Sequence, residues 1–198
     1  TEKVIDKKPT FLQKIKQQDI GITYKHTEDK INDFKEQVLL PYSQSQHGPF
    51  IATSDVNNDG MIDFYVGGAA DSAGEIYFQN TDGTFRKDEN PIWNLDKSAE
   101  DLGVLFFDYD NDGDDDLYVT SGGAAFTEGD SLYQDRIYTN DGKGGFSRSN
   151  ILPQNNTSTQ VVISNDVDND GDLDLFVGGR VIPDKYPYSP NSQLLINE

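Results

Sequence analysis

Cysteine is absent from this 198-residue chain, which excludes disulfides and thiolate metal sites. Outside a reducing compartment, such a chain must be held by its core, by bound metal or by both. Histidine is nearly absent too: only His26 and His47 occur, and neither lies in a recognisable metal or nucleophile motif. No G-x-S-x-G, P-loop or dinucleotide fingerprint is present. Basic residues are few, 16 Lys and Arg against 35 Asp and Glu, for a net charge of −19. Nucleic acid and anionic membrane require clustered Lys/Arg, so an acidic chain disfavours both, and neither nucleic-acid binding nor direct membrane insertion is expected. No apolar run is long enough to cross a bilayer, and no signal-peptide core is seen. An enzyme therefore finds little to stand on. A carboxylate pair can serve a glycosidase, but 35 acidic residues make such pairs unavoidable.

What remains is polar, aromatic and rich in glycine. The apolar fraction is only 34%, yet 11 Phe, 10 Tyr and 1 Trp argue against disorder. Sustained helical periodicity is missing, and the composition reads as β-structure with many turns.

The organising signal is an internal repeat. Asp55-Val-Asn-Asn-Asp-Gly-Met-Ile-Asp63 aligns with Asp108-Tyr-Asp-Asn-Asp-Gly-Asp-Asp-Asp116 and Asp166-Val-Asp-Asn-Asp-Gly-Asp-Leu-Asp174. Short β-branched or aromatic runs flank each copy: 50–53, 104–107 and 161–164 before it, and 64–68, 117–119 and 175–179 after it. Bounded by Gly and Asp, these runs are strands, so each acidic loop joins the two strands of a hairpin. A third strand follows at 76–80, 137–140 and 193–197. In the first two copies an Asp-Gly turn then leads to Phe85 or Phe146. Each repeat supplies about four short strands, the size of one propeller blade. The third stops at Glu198, where its turn should begin, and reads as part of a longer array. The expected fold is all-β: blades of four-stranded antiparallel sheets carrying metal-binding hairpin loops, forming a partial propeller. Three blades do not close a ring, and their open edges invite self-association. Residues 1–48 form an N-terminal segment packing on, or leading into, the blades at 49–198. Within it, 11–15 reads as a strand or single helical turn, 21–26 as a strand by alternation, and 39–49 as loop.

The pattern D-x-[DN]-x-D-G-x-x-D suits calcium, which takes six to eight hard oxygen ligands and tolerates irregular geometry. Side-chain oxygens stand at positions 1, 3, 5 and 9: Asp55, Asn57, Asp59 and Asp63; Asp108, Asp110, Asp112 and Asp116; Asp166, Asp168, Asp170 and Asp174. Position 7 adds a backbone carbonyl from Met61, Asp114 or Asp172, and the glycine at position 6 permits the sharp turn. An EF-hand would need Glu at position 12 between helices. Here position 12 is Val66, Val119 or Val177 within a strand, so the Asp at position 9 closes the site. Asn57 removes one charge from the first loop, which is expected to be the loosest site. Asp115, at position 8, is expected to point away as a solvated extra charge. Acidic surface turns would share the Asp, Asn and Gly content, but threefold repetition with every ligand position kept favours binding. Magnesium rarely uses an all-protein cage. Three calcium ions, six positive charges, would bring −19 to −13.

These loops, with Phe64-Tyr65-Val66-Gly67-Gly68 after the first and Asn140-Asp141-Gly142-Lys143-Gly144-Gly145-Phe146 after the second, resemble FG-GAP/VCBS repeats such as those of the integrin α-subunit propeller. Gly21-Ile22-Thr23-Tyr24 and Gly179-Arg180-Val181-Ile182-Pro183 resemble exported bacterial proteins of the VCBS or ASPIC/UnbV type. The resemblance covers about residues 20–198. It implies a seven-bladed parent propeller, calcium at positions 1, 3, 5, 7 and 9, and an extracellular, cell-surface or periplasmic location. Departures are Asn57, Val119-Thr120-Ser121 inserted before Gly122-Gly123, and the count of three repeats. The expected function is non-catalytic recognition of a protein or glycan, with Tyr186, Tyr188 and Trp93 as candidate contacts. For Trp93, filling space between blades is the favoured reading. The alternatives are a non-catalytic part of a surface polysaccharide-processing enzyme and a structural spacer.

Overall fold

The computed structural model describes residues 12–28 and 30–198. Among the described residues, eleven strands form three antiparallel sheets. The first is β1 (Ile51–Ser54), β2 (Asp63–Val66), β3 (Glu75–Gln79) and β4 (Phe85–Lys87), paired in that order. The second is β5 (Asp101–Phe107), β6 (Asp116–Ser121), β7 (Arg136–Thr139) and β8 (Ser147–Ser149). The third holds β9 (Ser158–Asn165), β10 (Asp174–Val181) and β11 (Gln193–Leu195), with β10 central. Within each sheet every strand pairs antiparallel with the next in sequence. These are partial β-propeller blades. The residues 119–121 read as an insertion instead extend β6, where Ser121 pairs with Asp101.

Strand period sends alternate side chains to opposite faces, and both faces of the middle blade are apolar. Leu117 and Val119 face the first blade, packing with Val56, Tyr65, Ile76, Phe78, Trp93, Tyr138 and Phe146. Tyr118 and Ile137 face the third, packing with Phe107, Val162, Leu175 and Val177. The core therefore lies in two layers between sheets. Trp93, from the connection after β4, is buried against Tyr65, Tyr138 and Phe146 and is removed from the candidate contacts. Its indole N–H reaches Asp88 at 2.9 Å. The connection after β8 brings the smaller Leu152 and Pro153 to the second layer, where an apolar cavity of about 220 Å³ remains.

Polar clamps sit beside the apolar layers. Asp101 at the start of β5 accepts from the Tyr65 hydroxyl (2.7 Å), the Gly68 N–H (2.9 Å) and Arg136 (2.6 Å). Burial works against the Arg136 charge, but the Asp101 carboxylate outweighs it and the guanidinium stays cationic. Between the second and third blades, Asp135 accepts from Tyr118, Ser121 and the Thr159 hydroxyl of β9. Satisfying these buried groups fixes how each blade meets the next.

The N-terminal segment departs from the strand expected at 21–26. Exposure alternates from Gly21 to Glu28, yet the segment joins no ladder. Gly21 and Ile22 N–H groups close back onto the preceding turn, and the contacts to the first blade go to a side chain and a loop carbonyl: Thr23 N–H to the Tyr77 hydroxyl (3.3 Å), and the Tyr24 hydroxyl to the Gly67 carbonyl (2.7 Å). Phe11 lies outside the described residues. Residues 12–16 are irregular, and a 3₁₀ turn follows at Gln17–Ile20. Residues 39–49 form a loop after the single-turn helix α1 (Asp33–Glu36).

Trp93→Ala should cost about 3–5 kcal/mol, read as a lower urea midpoint at unchanged slope. Leu95→Ala, at a residue 76% exposed, should shift stability by less than about 0.5 kcal/mol.

Candidate metal centre

Each acidic loop begins where a strand ends and finishes on the paired residue of the next. Ser54 pairs with Asp63, Phe107 with Asp116 and Asn165 with Asp174. Within these limits the backbone curls by two left-handed steps. Position 4 has φ of 57° at Asn58, 58° at Asn111 and 66° at Asn169, and position 6 has 84°, 94° and 103° at Gly60, Gly113 and Gly171. Asparagine tolerates the left-handed region better than most side chains, and glycine enters it freely. The asparagine at position 4 is thus a second conformational requirement beside the glycine, visible in all three copies.

The carboxylates then organise the curl. The Gly N–H at position 6 donates to the Asp at position 1, at 2.7, 3.0 and 3.2 Å in chain order. The N–H at position 7 donates to the Asp at position 5, at 2.8, 3.0 and 3.0 Å. Position 9 works differently. Asp63, Asp116 and Asp174 are buried, and one oxygen of each accepts from the N–H of position 2: Val56, Tyr109 or Val167. The other accepts from the N–H of Gln79, Asn140 or Asn197, just beyond or at the end of the third strand, at 2.8, 2.7 and 2.9 Å. This carboxylate ties loop, outgoing strand and third strand together.

In the second loop, oxygens of Asp108, Asp110 and Asp116 lie within 4.8 Å of one another, and Asp166, Asp168 and Asp174 form the same trio in the third. These are positions 1, 3 and 9. Asp112 and Asp170 at position 5 stand outside the trios and turn toward the position 7 N–H. In the first loop the equivalent trio is Asp55, Asn57 and Asp63, two carboxylates and an amide. Asp55 spends one oxygen on Asp59 N–H and the other on Gly60 N–H. Asp59 accepts from Met61 N–H. Asp114 and Asp172, expected to contribute carbonyls, send their side chains toward the preceding loop.

Gathered carboxylates raise their own proton affinity. Burial, followed by the nearby Asp110 and Asp112, pushes the Asp116 carboxyl up to about 7. Asp63 rises through burial, with Asp59 and Asp55 adding to it, and Asp110 through burial and then Asp112 and Asp108. A hard cation would relieve this repulsion. The fit is supported by one further atom: Oδ1 of Asp108 is buried and has no hydrogen-bond partner, an arrangement that is costly unless something else satisfies it. Hard oxygen donors of this kind suit calcium.

Asp115 is not a free solvated charge. It is half-buried and accepts from the Ser54 hydroxyl of the first blade, because position 8 points across the gap between blades. Asn140 Nδ2 crosses the same gap to the Val56 carbonyl (2.8 Å), and Asn197 Nδ2 makes the equivalent contact from the third blade to the Tyr109 carbonyl of the second (2.6 Å). The asparagines ending the third strands were the available signal.

A family model described as FG-GAP-like repeat matches residues 55–119 and 124–177, roughly three fifths of the chain. Each match ends in the outgoing strand of an acidic loop, at Val119 or Val177. The finer likeness to ASPIC/UnbV proteins draws no support from it. Comparison with curated proteins gives no match.

In excess chelator, Asp116→Ala should destabilise the chain by at least about 2 kcal/mol, since two N–H donors lose their acceptor. Asp112→Ala, at an exposed loop position, should cost less than about 1 kcal/mol under the same conditions. Urea unfolding of the two variants side by side separates scaffold from metal roles.

Proposed function

The chain belongs to the FG-GAP-like repeat family, and on that premise we propose that it is a calcium-stabilised, non-catalytic β-propeller module that recognises a protein or glycan outside the cytoplasm. The observation that carries the calcium reading is the pair of carboxylate trios, with the orphaned Asp108 oxygen inside one of them. Asp108, Asp110, Asp112 and Asp116 would hold one ion and Asp166, Asp168, Asp170 and Asp174 a second, with the carbonyls of Asp114 and Asp172. Asp55, Asn57, Asp59, Asp63 and the Met61 carbonyl would hold a third, more weakly. The chemistry supplied is charge neutralisation and cross-linking of the loop, with no reaction implied.

The placement outside the cytoplasm is supported by the calcium reading. Extracellular calcium modules bind at about 10⁻⁴–10⁻³ M, matched to millimolar surroundings and far above resting cytosolic levels. Among the described residues no helix is long and apolar enough to cross a membrane. The non-catalytic reading draws on His26, whose two ring nitrogens are engaged by the Tyr24 hydroxyl (2.8 Å) and Glu28 (2.6 Å) in a structural chain. Recognition would use side chains displayed on the connection after β10, where Tyr186 and Tyr188 are 46% and 73% exposed. Rigid aromatic rings offer contact area at low entropic cost to a sugar face or an apolar anchor.

Raising calcium to about 100 times the dissociation constant should stabilise the chain by about 2.7 kcal/mol per occupied site, and EDTA should abolish the gain. Denaturation in calcium, magnesium and EDTA checks this; equal stability in all three contradicts the proposal. A glycan array and a protein pull-down, each repeated with Tyr186→Ala plus Tyr188→Ala, test recognition.

A further inference from the structure

The three acidic loops are joined to one another. Asn58 at position 4 of the first loop donates from Nδ2 to Oδ1 of Asp114, position 7 of the second loop, at 2.6 Å. The same amide reaches the Gly142 carbonyl at 3.3 Å. One blade further on, Asn111 at position 4 donates to Oδ1 of Asp172 at position 7, again at 2.6 Å. The two bridges are equivalent in residue type, loop position, atom and distance. Both donors sit in the left-handed region, with φ of 57° and 58°, so the curl of one loop aims the amide at the next. Position 7 is Asp in the two loops that an upstream asparagine reaches and Met61 in the first loop.

We propose that Asn58 and Asn111 are positioning residues that couple neighbouring calcium sites, so that filling one loop raises the affinity of the loop beside it. The proposal rests on the calcium reading above and extends it to residues outside the ligand set. Position 4 lies between the ligands at positions 3 and 5, so occupancy of a loop fixes the conformation of its asparagine. Position 7 carries the carbonyl assigned to the next site, and holding its side chain lowers the ordering cost of that site. By linkage the second ion must favour the first by the same factor. The asparagines are exposed and the aspartates half-buried, so the factor falls at the low end of measured couplings, about fivefold. The coupling is between neighbours only: first with second, second with third.

The closing experiment is calcium titration calorimetry on the whole chain, with native mass spectrometry counting ions. Asp170→Ala disables the third site and leaves the first two. In that background the second stepwise constant should exceed the independent-site value by about fivefold. Adding Asn58→Gly, which keeps the left-handed backbone but removes the amide, should return the sites to independence. Asp114→Asn retains an acceptor oxygen and should preserve coupling, whereas Asp114→Ala should abolish it. In an Asp112→Ala background the first and third sites share no bridge and should fill independently. If two ions bind but Asn58→Gly leaves the stepwise constants unchanged, coupling is overturned and the calcium reading stands. If no ion binds in any variant or in the parent, both are overturned.

Discussion

A buried carboxylate stands at the foot of every acidic loop, and the rest of the architecture is arranged around it. Asp63, Asp116 and Asp174 each accept two backbone N–H groups, one from the loop and one from the end of the third-strand segment. The loop, the outgoing strand and the third-strand segment of one blade are thereby pinned at one point. Such an anion is tolerated in a buried place only because donors surround it. With Asp108 and Asp110 or Asp166 and Asp168 drawn to the same place, the charge density exceeds what N–H donors alone relieve. Burial first, and the neighbouring Asp110 and Asp112 after it, push the Asp116 carboxyl up. The same residue is thus both a structural tie and a member of the candidate metal trio.

Around these points the blades are joined by layers that combine apolar packing with polar clamps. The first layer is filled by Trp93 and its aromatic neighbours, and Asp101 with Arg136 fixes its polar end. The second relies on smaller side chains and retains a cavity. The pairing of Asp135 with Thr159 supplies its cross-blade clamp. Beside the loops, Asp115 with Ser54, Asn140 with Val56 and Asn197 with Tyr109 add further cross-blade contacts. The loops are thus fastened on both sides, within their hairpins and across to the next blade.

Most of this was legible in the residues. The nine-residue repeat, its flanking strands and the Asp-Gly turn gave the blade count, the hairpin placement and the candidate ligands, because these features are local and periodic. Contacts between repeats were not legible, since a single repeat does not show what its neighbour presents. Asp115 therefore read as a solvated charge, and position 4 of the loops carried no expectation. Gly21–His26 read as a strand because its alternation is real. Alternation reports which side is covered, however, and the segment meets the first blade through a side chain and a loop carbonyl. Trp93 was ambiguous for a related reason: a lone tryptophan suits either a ligand face or a gap between sheets, and packing settles it.

The most direct test of the central claim is anomalous scattering from crystals grown with calcium. Peaks among Asp108, Asp110 and Asp116 and among Asp166, Asp168 and Asp174, with a weaker one beside Asp55, Asn57 and Asp63, are the predicted result. Loops without anomalous signal at saturating calcium would contradict it.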